Sequence, residues 1–223
     1  MNVQPETAAT AVPAPEVTVI SAGHERHAAA PTMVFALGVS EPEGHDIYTI
    51  ALTVQIQIDP AKRGYDPETR LRLQELFGPP GQGAASTQSL VWARVDVLVP
   101  SFLGSTTVEL RVPCTYDLEV ATAKYFEALA GGDVPLSFHF TGTVFYRGPD
   151  GTLQVVLIPW DTDARFRMPV ATWRAMIDEH YPSGGWIRLH ETTLARLHER
   201  RAERGLPSFD ACVTELLEGR DGG

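Results

Sequence analysis

Ile47-Tyr-Thr-Ile-Ala-Leu-Thr-Val-Gln-Ile-Gln-Ile-Asp59 is the stretch that decides the fold class. Leu52, Val54, Ile56 and Ile58 alternate with Thr53, Gln55 and Gln57. That period of two is the pattern of a strand in a sheet with one wet face. The segments around it read the same way. Downstream, Leu90–Val99 and Thr106–Val112 alternate and are joined by Pro100-Ser-Phe-Leu-Gly104. Val134–Tyr146 and Gln154–Ile158 flank Arg147-Gly-Pro-Asp-Gly151, a strong reversal signal that predicts a hairpin. Upstream, the β-rich Val17–Ile20 leads through a polar turn to Met33–Val39.

Helices interrupt the strands. Asp66-Pro67 supplies an N-cap and a first-turn proline for a short helix ending near Phe77-Gly78. The run GPPGQGAAS that follows reads as a flexible surface loop; no GK[ST] follows it and no strand precedes it, so it is not a phosphate loop. Asp117 is expected to cap a helix with Leu118, Ala121, Tyr125 and Leu129 as its buried stripe, closed by Gly131-Gly132. Pro169 opens another, with Val170, Trp173 and Ile177 on one face and Tyr181-Pro182 at its end. Hairpin-dominated strands with a few helices predict an α+β fold: an antiparallel sheet with helices packed on one side. A strand-helix-helix hairpin follows over 183–219. Residues 1–15 read as a disordered Ala/Pro-rich tail, and 16–182 as the sheet domain.

Composition bounds the function. The 223 residues are enough for one large domain, or a domain and an appendage. A formal charge of −10 works against non-specific attraction to nucleic acid or anionic lipid. Two distant cysteines without a CxxC predict neither a disulfide framework nor a zinc cage. The absence of a signal-peptide pattern and of any apolar run of about 20 residues predicts a cytoplasmic protein with no membrane attachment.

Each candidate for chemistry has a plainer reading. Cys114 precedes the expected Asp117 helix, where amide dipoles lower a thiol pKa, but no base is placed beside it; a small buried hydrophobe is the simpler account. His24 and His27 are spaced HxxH in a polar turn without a third ligand, and His180, His190 and His198 show no converging carboxylate or thiolate. Asp161 and Asp163 in PWDTDARFR sit beside arginines, which reads as a solvated ion-pair turn. No catalytic, cofactor or metal residue is expected, and the chain reads as no enzyme.

Three resemblances add to this. GSTTVELRVPCTYDLEVATAKYFEALAGGDVPLSFHFTGTVFYRG, with MPVATWRAMIDEHYPSGGWIRL, resembles an uncharacterised bacterial family whose genes are commonly found beside nickel–iron hydrogenase genes. That resemblance implies an accessory or maturation protein. Successive strands followed by PVATWRAMIDEHY are similar to the export chaperone SecB, a tetramer whose sheet and helices offer apolar grooves to unfolded polypeptide. The chain departs from it in the Asp66–Ser86 region, the Asp117 helix and the C-terminal hairpin. Residues Gly185–Gly219 resemble ribbon-helix-helix DNA-binding proteins. Ile187 and Leu189 alternate with Trp186, Arg188 and His190, Leu194 and Leu197 line a first helix, and Gly205-Leu206-Pro207 turns. Ser208 caps a second helix with Phe209, Cys212, Val213, Leu216 and Leu217 as its stripe. His190 stands where that family carries a better N-cap. Five arginines (188, 196, 200, 201 and 204) face six acids (Glu191, Glu199, Glu203, Asp210, Glu215 and Glu218), so the segment lacks the charge that phosphate binding needs.

The sequence therefore predicts a non-enzymatic accessory or chaperone-like protein, a homodimer or other homo-oligomer. Its expected partner is a protein such as a hydrogenase subunit. The alternative is a DNA-binding regulator acting through 185–219, although nucleic acid is not the expected partner. Candidate interaction residues are Trp186, Arg188, His190, Trp160 and Cys114.

Overall fold

The computed structural model describes residues 12–78, 89–114, 120–182 and 187–219. These fall into two compact units, one within 12–182 and one within 187–219. The tail up to residue 11, most of the Gly/Pro-rich loop, Asp117, Leu118 and Trp186 lie outside the described residues.

The first unit is α+β, and every strand pairing in it is antiparallel. One sheet runs β1 (Glu16–His24), β2 (Thr32–Ser40), β6 (Ser105–Pro113) in that order. The other runs β4 (Leu90–Val99), β3 (Asp46–Ile58), β7 (Asp133–Arg147), β8 (Leu153–Leu157), with β5 (Phe102–Leu103) beside β3 and β9 (Asp163–Pro169) beside β7. Alternation explains the packing. Ile50, Leu52, Val54, Ile56 and Ile58 of β3 are buried, as are Met33, Phe35, Leu37 and Val39 of β2. The two buried faces meet: the Phe35 ring lies 5.1 Å from Phe138 of β7, edge-on at 75°. The core thus sits between two sheets, where the sequence suggested one sheet. Strands of both sheets alternate alike, and only the pairing shows which sheet each joins.

Of the helices, α1 (Pro67–Arg72) and α2 (Gln74–Phe77) follow Asp66, which accepts from Thr69 N at 2.8 Å, and Gly78 ends them with φ of 76°. Helix α3 (Ala121–Ala128) begins later than the sequence suggested, after Val120 and without a side-chain cap. Its buried face is Thr122, Ala123, Tyr125 and Phe126, continued by Leu129, while Ala121 is exposed. Helix α4 (Val170–His180) follows Pro169 and buries Val170, Trp173, Met176 and Ile177. It lies against β1, β2 and β9, and α3 lies against β4. Their rings close the core: Phe126 stacks on Trp173 at 4.3 Å, and both lie edge-on to Trp92 of β4. Pro169 stands just before α4 as the sequence suggested, and the strands before it divide between two sheets.

The hairpin over Arg147–Gly151 is present. Arg147 pairs with Leu153, Gly148 N donates to Thr152 O at 2.8 Å, and Gly151 has φ of 79°. PWDTDARFR is only partly a turn, since Asp163 opens β9 opposite His139.

The second unit is α5 (Glu191–Arg204) and α6 (Phe209–Glu218), joined through Gly205 with φ of 62°. Ser208 caps α6 by accepting from Ala211 N at 3.0 Å. The strand expected at its head is absent among the described residues: Ile187–His190 belong to no strand. No helix among the described residues is long and apolar enough to cross a membrane.

Candidate interaction surface

The outward face of the six-stranded sheet is built from residues that sit opposite one another and so point the same way. One row across it is Leu98, Ala51, Thr143, Leu157. The next holds Thr49, Phe145 and Val155, and a third Leu103, Asp46, Arg147 and Leu153. Leu98, Leu103 and Leu157 are about 70 % exposed, Val155 58 % and Leu153 54 %. Towards the other end the rows turn polar: Asp96, Thr53, Thr141, then Arg94, Gln55, His139, Asp163. Thr53 Oγ1 donates to the Asp96 carboxylate there. The wet face foreseen from β3 alone is therefore wet at one end and apolar at the other. The apolar end is rimmed by Arg147, which pairs with Asp46 at 3.6 Å and lies over the Tyr48 ring at 5.7 Å. An apolar patch with a polar rim is the anatomy of a protein-binding surface.

Beside it the sheet edge is interrupted. Strand β7 is 15 residues long; β8 pairs with one half and β9 with the other. Ile158 N donates to Gly142 O and Phe140 N to Thr162 O, both at 3.0 Å. Between those two bonds the chain leaves the edge, and Trp160 stands there 92 % exposed. Gly142 lies beside the interruption, and glycine is needed there because a Cβ would lie 2.2 Å from Ala51 O of the neighbouring strand.

The other sequence candidates lie elsewhere. Cys114 follows β6 in the three-stranded sheet, where its Sγ donates to Val112 O at 3.2 Å and burial pushes its thiol pKa up to about 12. A thiol held that way is protonated and unreactive near neutral pH. Arg188 and His190 belong to the second unit. Arg188 is exposed, and His190 is the N-cap of α5, its Nδ1 accepting from Thr192 N at 3.4 Å. In the same hairpin Arg200 and Arg204 bind Glu215, and Arg201 lies 4.4 Å over the Phe209 ring. Three of the five arginines are thus turned to partners within the hairpin.

Among the described residues one group of metal-ligand type comes together, Glu41, Glu43 and His45, and both it and the HxxH pair make internal bonds. The HxxH pair does have a third group, Glu179 of α4. It binds His24 Nε2 at 2.8 Å and accepts from His27 N at 2.9 Å, which ties the β1–β2 turn to the helix. His27 takes φ of 58° to do so. These bonds hold the Glu179 carboxyl below its ordinary pKa. The Glu41-Pro-Glu-Gly-His45 turn brings Glu41, Glu43 and His45 together. The buried Glu41 carboxylate already accepts from His45 N at 2.7 Å and meets His45 Nδ1 at 3.0 Å. Burial raises the Glu41 pKa, but the His45 bonds outweigh that and leave it lowered. Long-range Glu179 could not be foreseen from the HxxH spacing.

No curated protein matches the chain. Among solved structures it is similar to a late embryogenesis abundant (LEA) protein at 13 % identity, with 71 % of this chain and 73 % of that one covered and a TM-score of 0.32. It is also similar to the CARDB domain of a Pyrococcus furiosus protein, solved in complex with di-metal ions. There the identity is 9 %, 70 % of this chain and 91 % of that one are covered, and the TM-score is 0.27. Both likenesses are distant. A family model spans residues 12–222, nearly the whole chain, and the protein belongs to that family, the family of unknown function DUF6084.

Proposed function

We propose that the chain is a non-enzymatic accessory protein that binds another protein, chaperone-like in presenting an open apolar surface. The observation that supports this best is the apolar end of the outward sheet face, where Leu98, Leu103 and Leu157 are each about 70 % exposed. Monomeric proteins seldom leave such side chains together in water unless a partner covers them. The partner implied by the resemblance to a hydrogenase-linked family is a hydrogenase subunit or its precursor, in the cytoplasm. The unreactive Cys114 thiol favours binding over thiol chemistry. The chain acts as a homo-oligomer, since two of the folds it resembles in sequence work that way. Affinity capture from the native host tests the reading, together with a deletion strain. Recovery of a hydrogenase subunit and reduced hydrogenase activity in the deletion are expected; no subunit and unchanged activity would remove it.

A further inference from the structure

Strand β8 forms a free end of the six-stranded sheet, and its neighbour among the described residues is β7 alone. Sheets guard such edges with charge, proline or a bulge, because an open row of N–H and C=O groups pairs with any passing strand. Other edges here are guarded. Strand β1 has Glu16 and a bulge, β6 has Glu109 and Arg111, β4 has Arg94 and Asp96, and β9 has Asp163, Arg165 and Arg167. Leu153-Gln-Val-Val-Leu157 has no charge, no proline and a regular register.

The direction of its backbone groups follows from the bonds at its two ends. Thr152 O accepts from Gly148 N, and Ile158 N donates to Gly142 O. In an antiparallel ladder a residue's N–H and C=O share one side, and sides alternate along the strand. Residues 152, 154, 156 and 158 therefore face β7, while Leu153, Val155 and Leu157 face outward. The side chains of those same three are 54, 58 and 71 % exposed.

We infer that β8 is a self-pairing seam: two copies join β8 to β8, antiparallel, across a two-fold axis at Val155. The occupant is a second copy because the outward pattern, Leu-x-Val-x-Leu, reads the same from both ends, as an isologous contact requires. Val155 then faces its own counterpart, and Leu153 faces Leu157 of the second copy. All three positions become hydrogen-bonded pairs, with about six backbone bonds across the seam. The apolar ends of the two outward faces merge into one surface. The lack of charge on β8 keeps the self-repulsion of a chain with net charge −10 out of the contact.

The seam rests on the homo-oligomeric part of the reading above; client binding is decided separately, by the capture experiment. Light scattering of the whole chain at micromolar concentration tests it, on the wild type and on Val155→Lys. That variant places two like charges face to face on the axis but leaves the monomer's core untouched. The wild type should have the mass of a dimer and Val155→Lys that of a monomer, which keeps the wild type's far-ultraviolet circular dichroism and melts cooperatively, at a lower temperature because association no longer stabilises the fold. Independently, Val155→Cys should cross-link between copies under mild oxidation. The Cα separation of such a pair, about 5.5 Å, suits a disulfide. Val91→Cys on the guarded β4 edge should not cross-link. A monomeric wild type, a dimer untouched by Val155→Lys, or equal cross-linking of the two cysteine variants would each overturn the seam. So would a wild-type monomer that takes up only foreign strands.

Discussion

Asp59 directly follows β3 and is buried, only 6 % exposed. It accepts from Ser89 Oγ and Lys62 Nζ, each at 2.6 Å, and from Ser137 Oγ. Burial raises its pKa, but these hydrogen bonds and the Lys62 charge outweigh that and hold it below the ordinary value. A lowered carboxyl pKa contributes stability that is present above the unfolded value, about 3.9 for Asp, and is lost as pH falls through the folded one. Stability should therefore be level from neutral pH down to about 5 and fall below about 4. Asp59→Ala should cost about 2–3 kcal/mol at neutral pH, the worth of hydrogen bonds to a buried charge, and flatten the acid limb. Urea melts at several pH values measure both. Nothing in the sequence marked Asp59, because two of its three partners come from 30 and 78 residues away. Cys114 was legible as a bland residue: Cys114→Ala should lower stability by no more than a small core truncation does, and leave partner capture intact.

At the scale of elements, the strands and caps were the readable part. Alternation located β3, β4, β6 and β7 to within a residue or so, and Asp66, Pro169 and Ser208 stand where helices begin. The start of α3 and the identity of β9 were not readable. Arg165 and Arg167 alternate with Ala164, Phe166 and Met168 as a strand should, but the acidic turn before them masked the pattern. Gly142 likewise looks ordinary until its neighbour is known. Gly142→Ala should destabilise by about 3 kcal/mol at unchanged m-value in urea, since Ala51 O cannot move out of the sheet to make room. The C-terminal hairpin has its two helices, and among the described residues Ile187–His190 are in no strand; its arginines are balanced by acids, which leaves little charge for phosphate. A duplex-shift assay should show no salt-sensitive, sequence-specific complex. Such a complex, abolished by Arg188→Ala, would contradict that expectation.

For the molecule as a whole, antiparallel α+β followed from local pattern, whereas the split into two facing sheets did not. The contact of Phe35 with Phe138 joins residues that each look like core in any sheet. The apolar end of the outward face was hidden for a related reason. Nothing in the sequence sets Leu98, Leu103, Val155 and Leu157 apart, and only the register across β4, β3, β7 and β8 shows them side by side in solvent. Trp160 was singled out and does stand exposed, next to that edge. The central claim is that this face holds a protein partner, and Leu98 and Leu103 lie on it away from β8. Affinity capture from the native host with the wild type and with the Leu98→Glu, Leu103→Glu double variant is the most direct test. Both side chains are exposed, so the variant should melt with the wild type. The account predicts that the wild type retains a hydrogenase subunit and the variant loses it. Equal recovery by both, or none by the wild type, would contradict it.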